Sequence, residues 1–174
     1  MAGTLGANAL SKISIGATEI QTISLGTAVL WTGVKFEPVK AVLGSSFNPP
    51  TSYGQVLGWS ADTGNFPKSA VTSNRLVVPN PGKGVTISAA LVITGPQLGS
   101  TDATLRLNID GATVTGTTTT IGQNDSGTAV VSATNRTLNA GSLISLDAQA
   151  TVQHNGFTSS APASTSSFIY AYIP

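Results

Sequence analysis

The sequence has no cysteine, which excludes disulfides and thiolate metal sites and leaves packing, within or between chains, to hold the fold. Charge is scarce. Only 9% of residues are charged, far below the roughly 25% of average soluble domains. The eight Lys and Arg residues are scattered singly and the net charge is +1, so no basic patch invites nucleic acid. There is one histidine, His154, in the loop sequence "QHNGF". No long hydrophobic run exists. The longest apolar stretch, "VTISAALVIT" (85–94), contains two Thr and one Ser; it is strand length and too short to span a bilayer. The N-terminal "MAGTLGANALSK" lacks a basic segment followed by an apolar one, so it does not read as a signal peptide.

What is present is β-forming. Ser and Thr make up about a quarter of the chain, with 19 Gly and 9 Pro; this composition argues for many short strands and turns. Apolar residues account for 40%, enough for a real core. A surface poor in charge and rich in hydroxyls suits a particle surface or a permanent assembly, where solubility does not depend on net charge.

The chain reads as two parts. "KISIGATEIQ" (12–21) is followed by "TISLGTAVLW" (22–31), with Ile13, Ile15, Gly16 and Ile20 aligning with Ile23, Leu25, Gly26 and Leu30. A period near ten residues fits strand, glycine turn, strand. Two such units are too small to bury a core independently. They need a surface to dock on, with Ile13, Ile15, Ile20, Ile23, Leu25, Leu30 and Trp31 as the docking residues. Residues 1–35 form this module and 36–174 a larger β domain. Strands are predicted near 36–43, 54–59, 74–79, 84–94, 103–109, 112–118, 127–134, 142–152 and 166–173. Asp110-Gly111 between two of them is a two-residue hairpin turn. The predicted fold is all-β: a small hairpin-repeat module followed by a jelly-roll sandwich.

The closing "SSFIYAYIP" places Phe168, Tyr170 and Tyr172 on one face and Ile169, Ala171 and Ile173 on the other. Neither face is polar, whereas a strand at a sheet surface ordinarily alternates. A second chain is the expected cover, which makes residues 168–173 a predicted oligomer interface of aromatic type.

Several segments resemble the complement-type globular heads and tumour-necrosis-factor-like (TNF-like) jelly rolls. "NRLVVPNPGKGVTISAALVITG" resembles their strand, proline–glycine turn and long central strand. "TLRLNIDGATV" resembles their hairpin, and "RTLNAGSLISLDA" their paired strands, with Ser142 where the family has Asp. "SSFIYAYIP" resembles their final strand. The resemblance covers roughly 74–174 and implies a compact trimer with the last strand beside the threefold axis. Separately, "ISIGATEIQTISLGTAVLW" resembles a short module of tail and other virion proteins from phages of actinobacteria. That resemblance implies a virion component, assembled in the host cytoplasm and released by lysis.

Chemistry is thinly supplied. A catalytic triad would need His154 and a G-x-S-x-G elbow, which does not occur. The carboxylates Glu19, Glu37, Asp62, Asp102, Asp110, Asp125 and Asp147 are widely spread, so paired-carboxylate hydrolysis is not indicated. "PNPGKGVT" departs from a phosphate loop and leads into a strand. Asn124-Asp125-Ser126 and Asn135-Arg136-Thr137 are glycosylation sequons only in a eukaryotic secretory setting. No enzyme activity, catalytic residue, metal or cofactor is expected. The expected function is a non-enzymatic virion structural protein: an outward-displayed trimer anchored through residues 1–35, as a minor-tail or capsid-decoration component, with other virion proteins as partners and neither nucleic acid nor membrane insertion. The alternative is a carbohydrate- or host-receptor-binding module using Tyr53, Trp59 and Phe66, although core completion is the preferred reading of Trp59 and Phe66.

Overall fold

Alternation builds the long strands. In "VTISAALVIT" every second residue from Ile87 to Ile93 is fully buried, as are Ile144, Leu146, Ala148 and Ala150 further on. The apolar sets face inward and the interleaved residues face out, as a period of two requires.

The computed structural model describes residues 13–15, 18–20, 22–25, 28–32, 35–151 and 159–174. Its first four strands are β1 (Ile13–Ile15), β2 (Thr18–Ile20), β3 (Thr22–Leu25) and β4 (Ala28–Thr32). They form two antiparallel hairpins, β1–β2 and β3–β4, with Ile13 opposite Ile20 and Ile23 opposite Trp31. The β3–β4 register shifts between Ile23 and Ser24. Gly16, Gly26 and His154 lie outside the described residues. Backbone packing divides the chain into Met1–Lys35 and Phe36–Pro174.

The second unit contains β5 (Val39–Leu43), β6 (Gly54–Gln55), β7 (Trp59–Ala61), β8 (Ala70–Thr72), β9 (Arg75–Val77), β10 (Gly82–Thr94), β11 (Thr101–Ile109), β12 (Ala112–Ile121), β13 (Ser126–Leu138), β14 (Leu143–Ala150) and β15 (Ser164–Tyr172). They make two antiparallel sheets. One has the order β13-β10-β15-β5-β7; the other has β12-β11-β14-β9-β8, with β6 also paired to β14. Among the described residues there is no α-helix. Ile87, Leu91 and Ile169 from the first sheet and Leu105, Leu107 and Leu146 from the second are fully buried in one apolar core. Each such side chain contributes roughly 1.5–3 kcal/mol on leaving water. The all-β sandwich expected from the sequence is the fold observed.

The Asp110-Gly111 turn has φ of 51° and 84°, the geometry of a type I′ hairpin. Asp110 is then locked in place: its carboxylate accepts from the Leu143 N–H at 2.7 Å and the Ser142 hydroxyl at 3.0 Å. This ties the β11–β12 turn to the start of β14.

Two segments differ from the sequence reading. The predicted strand at 54–59 is two short strands in different sheets: β6 pairs with β14, and β7 pairs with β5. Gly58, at φ 87°, lets the chain cross between the layers, and its carbonyl accepts from the Gly44 N–H at 2.8 Å. β8 has no counterpart among the strands the sequence predicts. It pairs with β9 through a turn at Ser73 and Asn74, φ 48° and 58°, which has no glycine to announce it. That turn is latched to the crossing segment, since Asn74 Oδ1 accepts from the Gly58 N–H and Gln55 Nε2 donates to the Ser73 carbonyl.

Candidate functional site

β15 sits in the middle of the five-stranded sheet, between β10 and β5. Ile169 and Ala171 point into the sandwich and are fully buried. This corrects part of the predicted interface: the second sheet of the same chain covers that side, so neither residue can reach another molecule. Ile173 lies just past β15 and is 49% exposed. Phe168, Tyr170 and Tyr172 point outward and are half-buried.

Register assembles an apolar row across this outer face. Phe168 is opposite Val42 on one side and Ala90 on the other, and Ala90 is opposite Val130. The row Val42–Phe168–Ala90–Val130 therefore crosses β5, β15, β10 and β13, and Val130 is 52% exposed. The adjacent row is Lys40–Tyr170–Ser88–Ser132. Its only charge is the Lys40 ammonium, which sits 5.2 Å from the Phe168 ring centroid, within cation–π range. The outer face of an antiparallel sheet ordinarily carries polar residues. Here the centre of the face is aromatic and aliphatic.

The chain covers part of this face itself. Phe66 leans on Tyr170 with centroids 5.1 Å apart, and Tyr170 stacks on Tyr172. The Phe66 loop is pinned to β5: the Asp62 N–H donates to the Lys40 carbonyl at 3.0 Å, and the Lys40 N–H donates to Ser69 Oγ at 2.9 Å. The Asn65 side chain holds the Asp62 carboxylate. Burial raises the Tyr170 phenol above its ordinary value of 10.0, and the neighbouring Tyr172 adds to the shift. Both effects disfavour a phenolate on this face.

The three candidate sugar-contacting rings do not converge. Trp59 is 6% exposed among the core residues, opposite Leu43; this is the core role preferred for it, and the alternative of a sugar contact is corrected, since the ring presents no face to a ligand. Phe66 belongs to the aromatic face just described. Tyr53 lies by the other sheet, where the Arg106 guanidinium sits 3.4 Å from its ring centroid. Sequence reasoning missed Arg106, Val42 and Val130, because only strand register brings them to these places.

Asp62, Asp102, Asp110 and Asp125 serve local structure. Asp102 accepts from the Thr120 hydroxyl, Asp125 from the Ser126 N–H, and Asp110 from Ser142 and Leu143. Among the described residues no three His, Asp or Glu side chains gather as a metal-ligand set.

No protein-family model matches the chain, and no curated protein matches its sequence. Solved structures match in fold. The sandwich is similar to the TNF-like jelly rolls. An Eiger TNF from S. frugiperda superposes with a TM-score of 0.50 at 12% identity, covering 78% of this chain and 90% of its own. Murine APRIL superposes at 0.51 and 10% identity, covering 79% and 98%. At these identities the likeness is one of fold.

Proposed function

We propose that this chain is a non-enzymatic structural protein of a phage virion, a trimeric jelly roll displayed outward and attached to the particle through residues 1–35. It would act as a minor-tail or capsid-decoration component, stabilising a capsid in the second case. The observation that carries the self-assembly is the row Val42–Phe168–Ala90–Val130 beside the Tyr170–Tyr172 stack. A second copy laid on this face removes apolar surface from water at roughly 25 cal/mol per Å², and aromatic residues are the type enriched at interface centres. The likeness of the sequence to jelly rolls that assemble as trimers favours three copies over two.

The virion assignment rests on the repeated "ISIG" and "ISLG" hairpins and their resemblance to a module of phage virion proteins. Three weak anchors on one trimer would hold it to a particle with an affinity far above that of each alone. The low charge agrees with a protein kept in solution by its particle. The test is separation of a lysate's heads and tails followed by detection of this chain. Its presence in one particle fraction supports the assignment. Its confinement to the soluble fraction of a lysate that contains intact particles overturns it.

A further inference from the structure

The outer face of the six-stranded sheet holds a second candidate site, unrelated to the aromatic face. A shallow groove of about 560 Å³ runs between Tyr53 and β12, over the backbone of Leu105 and Gly116. Gly116 lies opposite Arg106 in the β11–β12 register, and lacking a side chain it leaves the groove floor bare. A Cβ at that position would come within 2.9 Å of the Leu105 carbonyl oxygen. Beside it the Thr104 and Thr118 hydroxyls lie 3.1 Å apart, and the next rung is Thr120 on Asp102.

The Tyr53 wall is built in advance. Its loop is tied to β14 by the Gln149 amide donating to the Thr51 carbonyl at 2.7 Å and the Ala150 N–H donating to the Pro50 carbonyl at 2.8 Å. The Arg106 guanidinium then lies on the Tyr53 ring at 3.4 Å. Ring and guanidinium are thus ordered before any ligand arrives, which lowers the entropy lost on binding.

We infer that this groove binds a neutral oligosaccharide. Its lining is chiefly threonine with one guanidinium and one aromatic ring; strand alternation turns the Thr104 and Thr118 hydroxyls to the outer face, a set that donates to and accepts from a ligand rich in hydroxyls. It is too polar for a lipid chain. It is also too poor in cations for nucleic acid: Arg106 has Asp147 as its cross-strand neighbour on β14, and Asp102 stands on the same face of β11. Those carboxylates also oppose an acidic sugar. The groove is open and shallow, so it suits a chain of sugars lying along the sheet rather than an enclosed small molecule.

The experiment is a glycan array probed with the labelled full-length protein. The array carries neutral mannan, arabinan, galactan and glucan oligosaccharides beside heparin fragments and oligouronates. The expected result is retention on at least one neutral class, competed by the same free oligosaccharide, with at least a tenfold loss of signal in both Tyr53→Ala and Arg106→Gln. Arg106 is exposed, so Arg106→Gln tests the groove should Tyr53→Ala disturb its loop. Retention on acidic glycans alone, on none, or undiminished in Arg106→Gln overturns the proposal. The mass in solution of the parent and of Arg106→Gln, measured on the same samples, reads self-association separately, because the groove proposal does not depend on the oligomer.

Discussion

Tyr170 stacks on Tyr172 with ring centroids 4.7 Å apart and planes 13° from parallel. Residues two apart on a strand share a face, and here that face is turned away from the sandwich core. Tyr170 is also gripped by Phe66 from a loop pinned to β5. The pair is therefore held in one geometry before any partner arrives.

Replacing Val130 by Asp puts a carboxylate with no cation opposite it into the apolar row of this face. In a self-associated protein, burial of that charge without a partner costs several kcal/mol. The expected outcome is dissociation to single chains with the β-sheet circular dichroism retained, since Ile169 and Ala171 still fill the core. Light scattering coupled to size exclusion measures it, and an unchanged mass contradicts the interface.

The raised Tyr170 ionisation sets a pH dependence. A phenol that ionises later in the folded protein than in the unfolded chain stabilises the fold fully below the ordinary value of 10.0. That contribution is lost as pH rises through the folded-state value. Absorbance titration near 295 nm should therefore show a tyrosine ionising above 10, and thermal stability should decline from pH 10 upward. In Tyr170→Phe the late ionisation should disappear.

Asp110 joins two turns. Asp110→Ala removes the acceptor for the Leu143 N–H and the Ser142 hydroxyl and places alanine at φ 51°. Each lost hydrogen bond is worth about 1 kcal/mol and the left-handed backbone costs a further 1–2 kcal/mol or so. Urea unfolding should show a destabilisation of about 2–4 kcal/mol. Asp110→Asn tolerates this backbone conformation and keeps an acceptor, so it should lose less than half as much.

Leu105 is fully buried between the sheets. Leu105→Ala should cost about 2–5 kcal/mol through lost burial and the cavity left behind. Val130→Ser, at an exposed outer-face position, should leave the unfolding free energy of the separated chain within about 0.5 kcal/mol of the parent while weakening self-association. The comparison of the two variants separates core from interface.

Legibility in the sequence followed the length and cleanness of the patterns. β10 and β14 alternate over many residues, so their inward sets were readable one by one, and Asp110-Gly111 announced its own turn. The Ser73-Asn74 turn had no glycine, and β8 beside it was too short to show a period. "GQVLGW" looked like one strand because nothing in six residues reveals that Gly58 sends the chain to the opposite sheet. Trp59 stands next to that crossing, and the core reading preferred for it holds, with the ring 6% exposed opposite Leu43. β15 was readable as apolar on both faces, but which face met the chain's own second sheet needed the fold. The Tyr53–Arg106 pair joins residues far apart in sequence, and only the loop tied to Gln149 and Ala150 brings them together.

The most direct measurement is the mass of the intact chain in dilute, near-physiological solution, by sedimentation equilibrium or native mass spectrometry. The expected result is three times the single-chain mass, with Phe168, Tyr170, Tyr172 and Val130 protected from surface labelling. A stable single chain whose Tyr170 and Val130 label freely would contradict it.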